Sequence, residues 1–359
     1  MDEQAGSGGA AEDRPGEVRR AVGAAETCLF DDLDAVARDA AGALDRAAQP
    51  SLYDRIDWLR LMRAHVPDGA TPIIARAALG EGRCWLFLRL AARRRAEAYA
   101  SWYSLSFAPV FAGPAALRRP LLEALAVALR SRFATIRLAP VPSAAADLLV
   151  PAFAAQGWRA ERRPATANWI ADTADKDFAA YWAARPSRLR NTVRRKGRGA
   201  DLTIMIRDRF AEAEWDDYEA VYRASWKPAE GSPAFLRALA RAEGEAGTLR
   251  LGIAYRQGTP VAAQFWTVEH GVATIHKLAH VEEERAASPG TLLSEAMFRH
   301  VIERDRPRRI DFGTGDDSYK ADWMDERRVL EQVTLYDARS LGGRARLLGA
   351  RLKRRLRGE

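Results

Sequence analysis

The chain has 359 residues, 48% of them hydrophobic and 29% charged. That is enough for two ordinary domains with real cores, and it excludes a disordered protein. Its two cysteines, Cys28 and Cys84, have no partners at metal-ligand spacing, so no disulfide framework or zinc site is expected. The net charge of +8 is concentrated at one end: Arg339 to Glu359 holds eight basic residues and one acid, and the preceding 338 residues are nearly neutral. The basic balance is therefore no sign of a nucleic-acid-binding core.

The start, MDEQAGSGGAAEDRPGE, is acidic and flexible, the opposite of a signal peptide, and residues 1–24 read as a disordered leader. No apolar run approaches the ~20 residues that a membrane span needs, so a cytoplasmic protein is expected. In the first half, helices are expected near Leu33–Ala47 and Ile56–Ala64. Strands follow near Pro72–Ala78, Cys84–Leu90 and Ala98–Phe107, then a helix at Ala115–Arg132. A strand Thr135–Leu138, a helix Ser143–Gln156 and strands around Trp158–Ile170 complete this half.

The second half repeats that order more distinctly. Asp177 to Arg198 reads as a helix interrupted at Pro186, followed by a strand at Leu202–Ile206 and helices Phe210–Trp226 and Pro233–Glu245. Three strands, Leu249–Tyr255, Val261–Val268 and Val272–Val281, are joined at Gln257-Gly258 and His270-Gly271 as antiparallel hairpins require. A helix from Thr291 to about Asp305 and strands Arg309–Phe312 and Val329–Tyr336 close the unit. No residue-level repeat is visible; the repeated order of elements points to duplication of one α/β unit. The expected divisions are 1–24, 25–171, 172–338 and a basic tail, 339–359.

Asp311-Phe312-Gly313 superficially fits a kinase, but no HRD-type loop precedes it and too few residues follow for a kinase lobe. The more informative stretch is Arg285-Ala286-Ala287-Ser288-Pro289-Gly290, with Thr291 opening a helix. A helix N-terminus presents unpaired N–H groups and partial positive charge, which suits a pyrophosphate. Gly290 permits close backbone approach, Pro289 supplies a fixed φ, and Arg285 could add a charge-assisted bond. An ordinary Ser-Pro-Gly helix start is the plain alternative.

Arg-x-x-Gly-x-Gly/Ala after three antiparallel strands resembles the pyrophosphate loop of the GCN5-related N-acetyltransferases (GNAT), with Ser288 in place of the first glycine. Tyr181-Trp182, Arg185 through Thr192, Ser225-Trp226-Lys227, Ala262 through Trp266, Lys277-Leu278-Ala279 and Asp311 through Trp323 resemble the CelD/BcsL-type acetyltransferases. Those enzymes are associated with cellulose and other exopolysaccharide biosynthesis and are related to the FemABX aminoacyl transferases. In the first half, Trp102-Tyr103-Ser104-Leu105 with Phe107-Ala108-Pro109 fits the same family. The resemblance implies an α/β (α+β) fold of tandem GNAT-like units, each a mixed, mostly antiparallel sheet flanked by helices. The first unit lacks the loop, so only the second is expected to take acetyl-CoA or another acyl-CoA.

The resemblance also implies that the acyl-pantetheine arm lies between the strand carrying Asp311 and the one carrying Lys277, with a backbone N–H near Leu278 to His280 holding the thioester carbonyl. Gly313 and Gly315 would free the chain's exit from its strand. Asp316 or Asp317 could be the base, with Tyr319 protonating the leaving thiolate and Lys320 beside them; equally, the two acids could cap the helix after Ser318 or pair with Lys320. His276 and His280, four apart on a strand, are expected on one face with Lys277 on the other; lacking a third ligand, they point to substrate contact or packing rather than a metal. Glu230 is a further candidate base, a solvated loop acid being the plainer reading.

Candidate acceptor-binding residues are Arg188, Arg190, Trp226, Lys227, Gln264, His276 and Lys277. Seven basic residues and no acid lie in Arg185–Arg198, either a solvated helix face or a site for an anionic substrate; no aromatics interleave, which weakens a nucleic-acid reading. In the tail, Leu341, Leu347, Leu348, Leu352 and Leu356 fall at helical spacing among arginines. This is a basic amphipathic helix suited to an anionic membrane or acidic partner, unless it packs on the body. Functionally the expectation is N- or O-acyl transfer to a sugar, amino-sugar or envelope-polysaccharide precursor. The alternatives are FemABX-like transfer from aminoacyl-tRNA and a degenerate binding protein.

Overall fold

The computed structural model describes residues 17–22, 24–66 and 71–357. The first-half strands are β1 (Glu17–Val22), β2 (Ala25–Phe30), β3 (Pro72–Leu79), β4 (Gly82–Ala92), β5 (Arg95–Ala98), β6 (Val110–Ala112), β7 (Thr135–Pro142) and the long β8 (Trp158–Asp172). The second half supplies β9 (Thr203–Arg207), β10 (Leu249–Arg256), β11 (Thr259–Glu269), β12 (Val272–His280), β13 (Arg309–Thr314) and β14 (Glu326–Asp337). Helices α1 (Leu33–Ala40), α2 (Ile56–His65), α3 (Arg118–Arg130) and α4 (Ser143–Ala155) belong to the first half. The second half adds α5 (Phe178–Ala183), α6 (Ser187–Gly197), α7 (Glu212–Arg223), α8 (Pro233–Glu245), α9 (Pro289–His300), α10 (Lys320–Trp323) and α11 (Leu341–Arg357). No helix among the described residues is long and apolar enough to cross a membrane.

All strands join one mostly antiparallel sheet in the order β1-β2-β3-β4-β5-β7-β14-β8-β13-β12-β11-β10-β9, with β6 on the side of β4. Each half contains one parallel pair, β5 with β7 and β12 with β13. The final strands are exchanged: β8 leaves the first half to lie against β13, and β14 returns from the second to pair with β7. β8 and β14 then pair with each other from Glu326↔Ile170 to Asp337↔Trp158. The halves also share a core. Phe235 of α8 stacks on Tyr103 (4.5 Å) and meets Trp58 of α2 edge-on (5.2 Å), all three buried. At the rim, Arg46 reaches Glu243 (2.6 Å) and Glu269 (2.9 Å), and buried Arg55 reaches Glu269 (2.7 Å).

Several expectations need correction. The leader ends early, because Glu17–Val22 is a strand added to β2 at the sheet edge; the rest of that stretch, residues 1–16 and residue 23, lies outside the described residues. Helix α1 stops at Ala40, where Ala41 turns left-handed (φ 46°), well before Ala47. The strand expected over Ala98–Phe107 ends at Ala98, and the following loop instead carries Tyr103 and Leu105 to the second half. Around Trp158–Ile170 there is one continuous strand. The interruption at Pro186 and the helix Pro233–Glu245 fall where the sequence puts them.

Candidate active site

The site begins where two parallel strands part. β12 pairs with β13 only at Val272, Ala273 and Thr274, so residues 275–280 present an open edge. β13 is drawn away by an irregularity between Asp311 and Thr314 that lets Thr314 pair with Asn168 of β8. The Asp311 carboxylate holds that kink, accepting from Gly313 N (2.8 Å) and Asn168 Nδ2 (2.6 Å). Burial pushes the Asp311 pKa up despite these two bonds. Gly313 is left-handed (φ 68°), and a side chain there would press on Leu105 at 3.1 Å, a close approach that only glycine allows.

Below the opening, α9 starts at Pro289 after Ser288, whose backbone is left-handed (φ 59°). Thr291 and Leu292 N–H donate to the Ser288 carbonyl (3.1 and 3.2 Å), which closes the first turn. A Cβ on Gly290 would meet His280 Nδ1 at 3.1 Å, so the loop and the end of β12 are in near contact. Gln264 of β11 ties that strand to α9, donating to Ser294 Oγ (2.7 Å), and accepts from Trp266 Nε1 (2.9 Å) of its own strand. Lys196 Nζ donates to Ala286 O (2.7 Å) and pins α6 to the loop.

The resulting cleft has a volume of ≈ 580 Å³. Leu278, His280, Arg285, Ser288, Gly290 and Thr291 line it, together with Arg188, Trp226 and Tyr319. Pro289 is buried at the helix start. Ser318, Asp322 and Trp323 also line the cleft; they follow Asp316-Asp317 in sequence, and Asp322 and Trp323 lie on the short α10. Arg285 is exposed and paired with Glu282 (3.3 Å), and Arg188 pairs with Asp322 (2.5 Å). Burial raises the Tyr319 phenol, with Asp317 adding to the shift, so this group stays protonated at neutral pH.

Of the two readings of the acids after β13, the structure favours ion pairing over a base. Asp316 is exposed and bonded through both oxygens to Arg327 (2.8 and 2.6 Å), which holds its pKa below the usual carboxylate range. A carboxylate so occupied, and outside the cleft lining, is a poor base. Asp317 is exposed, 3.8 Å from Lys320 Nζ. Lys320 is buried and donates to Thr314 O (2.6 Å), so it fastens the turn rather than meeting substrate.

The histidine expectation is also corrected. The register between β11 and β12 slips at Phe265/Trp266, and His276 is the unpaired residue. The bulge breaks the alternation, so His276 stacks on Phe265 (5.0 Å) on the same side as Lys277, while His280 lies against Trp226 (4.4 Å) on the cleft side. His276 shares a hydrogen bond with Thr267 Oγ1 (2.9 Å), and burial lowers its pKa to about 4. It and Gln264 are packing groups. Arg190 is exposed on α6 and does not line the cleft.

Behind Trp226, the connection between α7 and α8 opens into a second cavity of ≈ 430 Å³, with Trp215, Tyr218, Tyr222, Leu236, Lys227 and Glu230 among its walls. Glu230 is no free loop acid. It pairs with Lys277 (2.8 Å), accepts from Tyr103 Oη (2.7 Å) and Gly231 N (3.1 Å), and these bonds outweigh burial to hold its pKa low. The buried Tyr218 hydroxyl has no hydrogen-bond partner among the described residues. The Trp226 ring lies 5.7 Å from the Lys227 ammonium. Burial, then the like charges of Lys277 and Lys320, lowers its pKa to about 8. Tyr103 and Leu105 were legible only as family-like residues; their reach across to Glu230 and Gly313 is tertiary.

With this geometry in hand, the class follows. Residues 184–321 match the acetyltransferase (GNAT) domain family, which supports a transferase. No curated protein matches the chain in sequence. Among solved structures it is similar to FemX (TM-score 0.57, 11% identity, covering 79% of this chain and 92% of that one). It is also similar to the C-terminal domain of a putative lysylphosphatidylglycerol synthetase from Agrobacterium fabrum (0.54, 14%, 89% and 97%). A third is a conserved protein of unknown function from Bacteroides thetaiotaomicron (0.51, 16%, 86% and 98%). At such identities the likeness is one of fold.

Proposed function

We propose that this protein is an acyl-CoA-dependent acyltransferase of the CelD/BcsL type, with acetyl-CoA as its simplest donor and a sugar, amino-sugar or envelope-polysaccharide precursor as acceptor. The observation that carries the reading is the convergence of Leu278, His280, Ser288, Gly290 and Thr291 on one cleft at the parting of β12 and β13. Gly290 and Thr291 at the start of α9, with Arg285 beside them, would hold the CoA pyrophosphate. The open edge of β12 near Leu278 would take the thioester carbonyl as charge builds.

The second cavity fits an acceptor. Aromatic faces (Trp215, Tyr218, Tyr222) with a few polar groups suit a sugar ring, and the Tyr218 hydroxyl, without a hydrogen-bond partner among the described residues, and the Lys227 amine on the cavity wall could bond it. Lys227, between the cavity and the Trp226 wall of the cleft, would take the acceptor proton, since an amine with a pKa near the working pH is suited to general-base catalysis. Tyr319 would return a proton to the departing thiolate. Transfer then forms the N–C or O–C acyl bond, breaks the thioester C–S bond and releases CoA as its thiol.

Calorimetric titration with acetyl-CoA, and separately with charged tRNA, tests this reading. Acetyl-CoA should bind, and Gly290→Val, which crowds His280, should weaken binding at least tenfold with little change in melting temperature. Binding of charged tRNA alone would favour FemABX-like transfer. Binding of neither would leave a non-catalytic binding protein.

A further inference from the structure

The C-terminal helix α11 is turned inside out relative to an ordinary surface helix. Gly343, Leu347 and Ala350 lie at helical spacing on one side and face the body. Gly343 is buried so closely that a Cβ would lie 2.1 Å from the Asp337 carbonyl. Leu341, Leu348 and Leu352 fall on the opposite side, and their exposures are 84%, 65% and 60%. Leucines at a surface normally turn inward, so a stripe held outward by a docked helix is an unfilled contact. The helix is seated: Arg344 Nε donates to Ala338 O (2.6 Å), and Gly343 N donates to Ser340 Oγ (2.9 Å).

Its surroundings are cationic. No acid occurs between Leu341 and Arg357, which contains seven basic residues. Beside it, a groove of ≈ 650 Å³ between α11 and the sheet is lined by Arg95, Arg137, Arg163 and Arg346 with Thr334 and Tyr336. Arg137 is neutralised by Glu97, but Arg95, Arg163 and Arg346 have no carboxylate partner among the described residues.

We propose that α11 and the arginine groove beside it form a docking face for an anionic membrane surface, with Leu341, Leu348 and Leu352 entering the headgroup layer. The chemistry selects this occupant. Apolar insertion flanked by arginines, whose stems can run along the apolar layer while their heads meet lipid phosphates, is how an interfacial helix binds. A second copy of the chain would bring like-charged helices together, which repel. A nucleic acid would use the arginines but not the leucines, and the stripe contains no aromatic ring for base stacking.

The test is co-sedimentation of the full-length protein with vesicles of phosphatidylcholine alone or mixed with phosphatidylglycerol. Wild type should sediment with the anionic vesicles at low salt, not with the zwitterionic ones, and should be released at 0.5 M salt, where surface charges are screened. Leu348→Asp/Leu352→Asp, at exposed positions that leave melting unchanged, should bind at least tenfold more weakly. Failure to sediment with anionic vesicles at low salt overturns the proposal. So does undiminished binding of the double variant. A dimer that the same variant dissolves, or tRNA binding that survives the variant while vesicle binding is absent, assigns the face to another occupant and also overturns it. None of these readouts depends on CoA binding, so this proposal and the acyltransferase reading fail separately.

Discussion

Lys227 shows how a single side chain acquires its chemistry from neighbours far away in sequence. Burial and the charges of Lys277 and Lys320 disfavour its ammonium form, bringing the pKa from an ordinary 10.5 to about 8. If it accepts the acceptor's proton, kcat/KM with acetyl-CoA and glucosamine should rise with pH and level off above about 8. Lys227→Met should lower kcat by roughly 10²–10⁴, remove that pH limb and leave acetyl-CoA affinity nearly unchanged. The stability effect has its own sign. Between pH 8 and 10.5 the unfolded lysine holds a proton that the folded one has lost, so folding gains from Lys227 as pH rises there, and below pH 8 its charge is a burden. Wild-type turnover in Lys227→Met would remove it from the chemistry. The neighbouring acids carry the opposite lesson. Asp316 looked catalytic by position, yet Arg327 claims both its oxygens.

At the level of elements, the connection between α7 and α8 is the joint on which the second cavity depends. Its Glu230 is fixed by Lys277 from β12 and by Tyr103 from the first half, and Ser232 N donates to the same Tyr103 hydroxyl (2.7 Å). Tyr103→Phe deletes that hydroxyl while keeping the stack on Phe235. It should cost about 1–3 kcal/mol in denaturant unfolding, because buried partners are left unsatisfied. Hydrogen exchange should quicken in residues 224–232 and not in β2 to β4. An unaltered exchange pattern would show the bridge to be ornamental. Most elements near this joint were legible. Pro233 after Ser232 starts α8, and Gln257-Gly258 and His270-Gly271 close the hairpins, because helix starts and two-residue turns are dictated by local backbone preference. The β12 bulge at His276 has no local signature, and without it the strand's alternation assigns His276 to the wrong face.

For the whole molecule, the exchanged strands make the halves interdependent. β14 lies between β7 and β8, β8 lies against β13, and Arg46 and Arg55 clamp α8 and β11 to the first half. Separating the halves would strip each of a central strand and bare edges that pair indiscriminately. Urea unfolding followed by tryptophan fluorescence and by far-ultraviolet circular dichroism should therefore give one coincident transition. Two resolved transitions would mean that the halves fold independently and that the exchange contributes little.

The sequence by itself determined the α/β class and the turn that starts α9. The repeated element order, the hairpin turns and the Arg285-to-Thr291 loop are local patterns, written in neighbouring residues whose backbone preferences do not depend on the rest of the fold. Only the tertiary structure decided which acids are occupied, which face His276 takes, that Tyr103 and Leu105 reach Glu230 and Gly313 of the second half, and that the leucines of α11 point outward. Each of these depends on which distant charges, strands and hydroxyls are brought within a few ångströms, and sequence spacing carries no record of that.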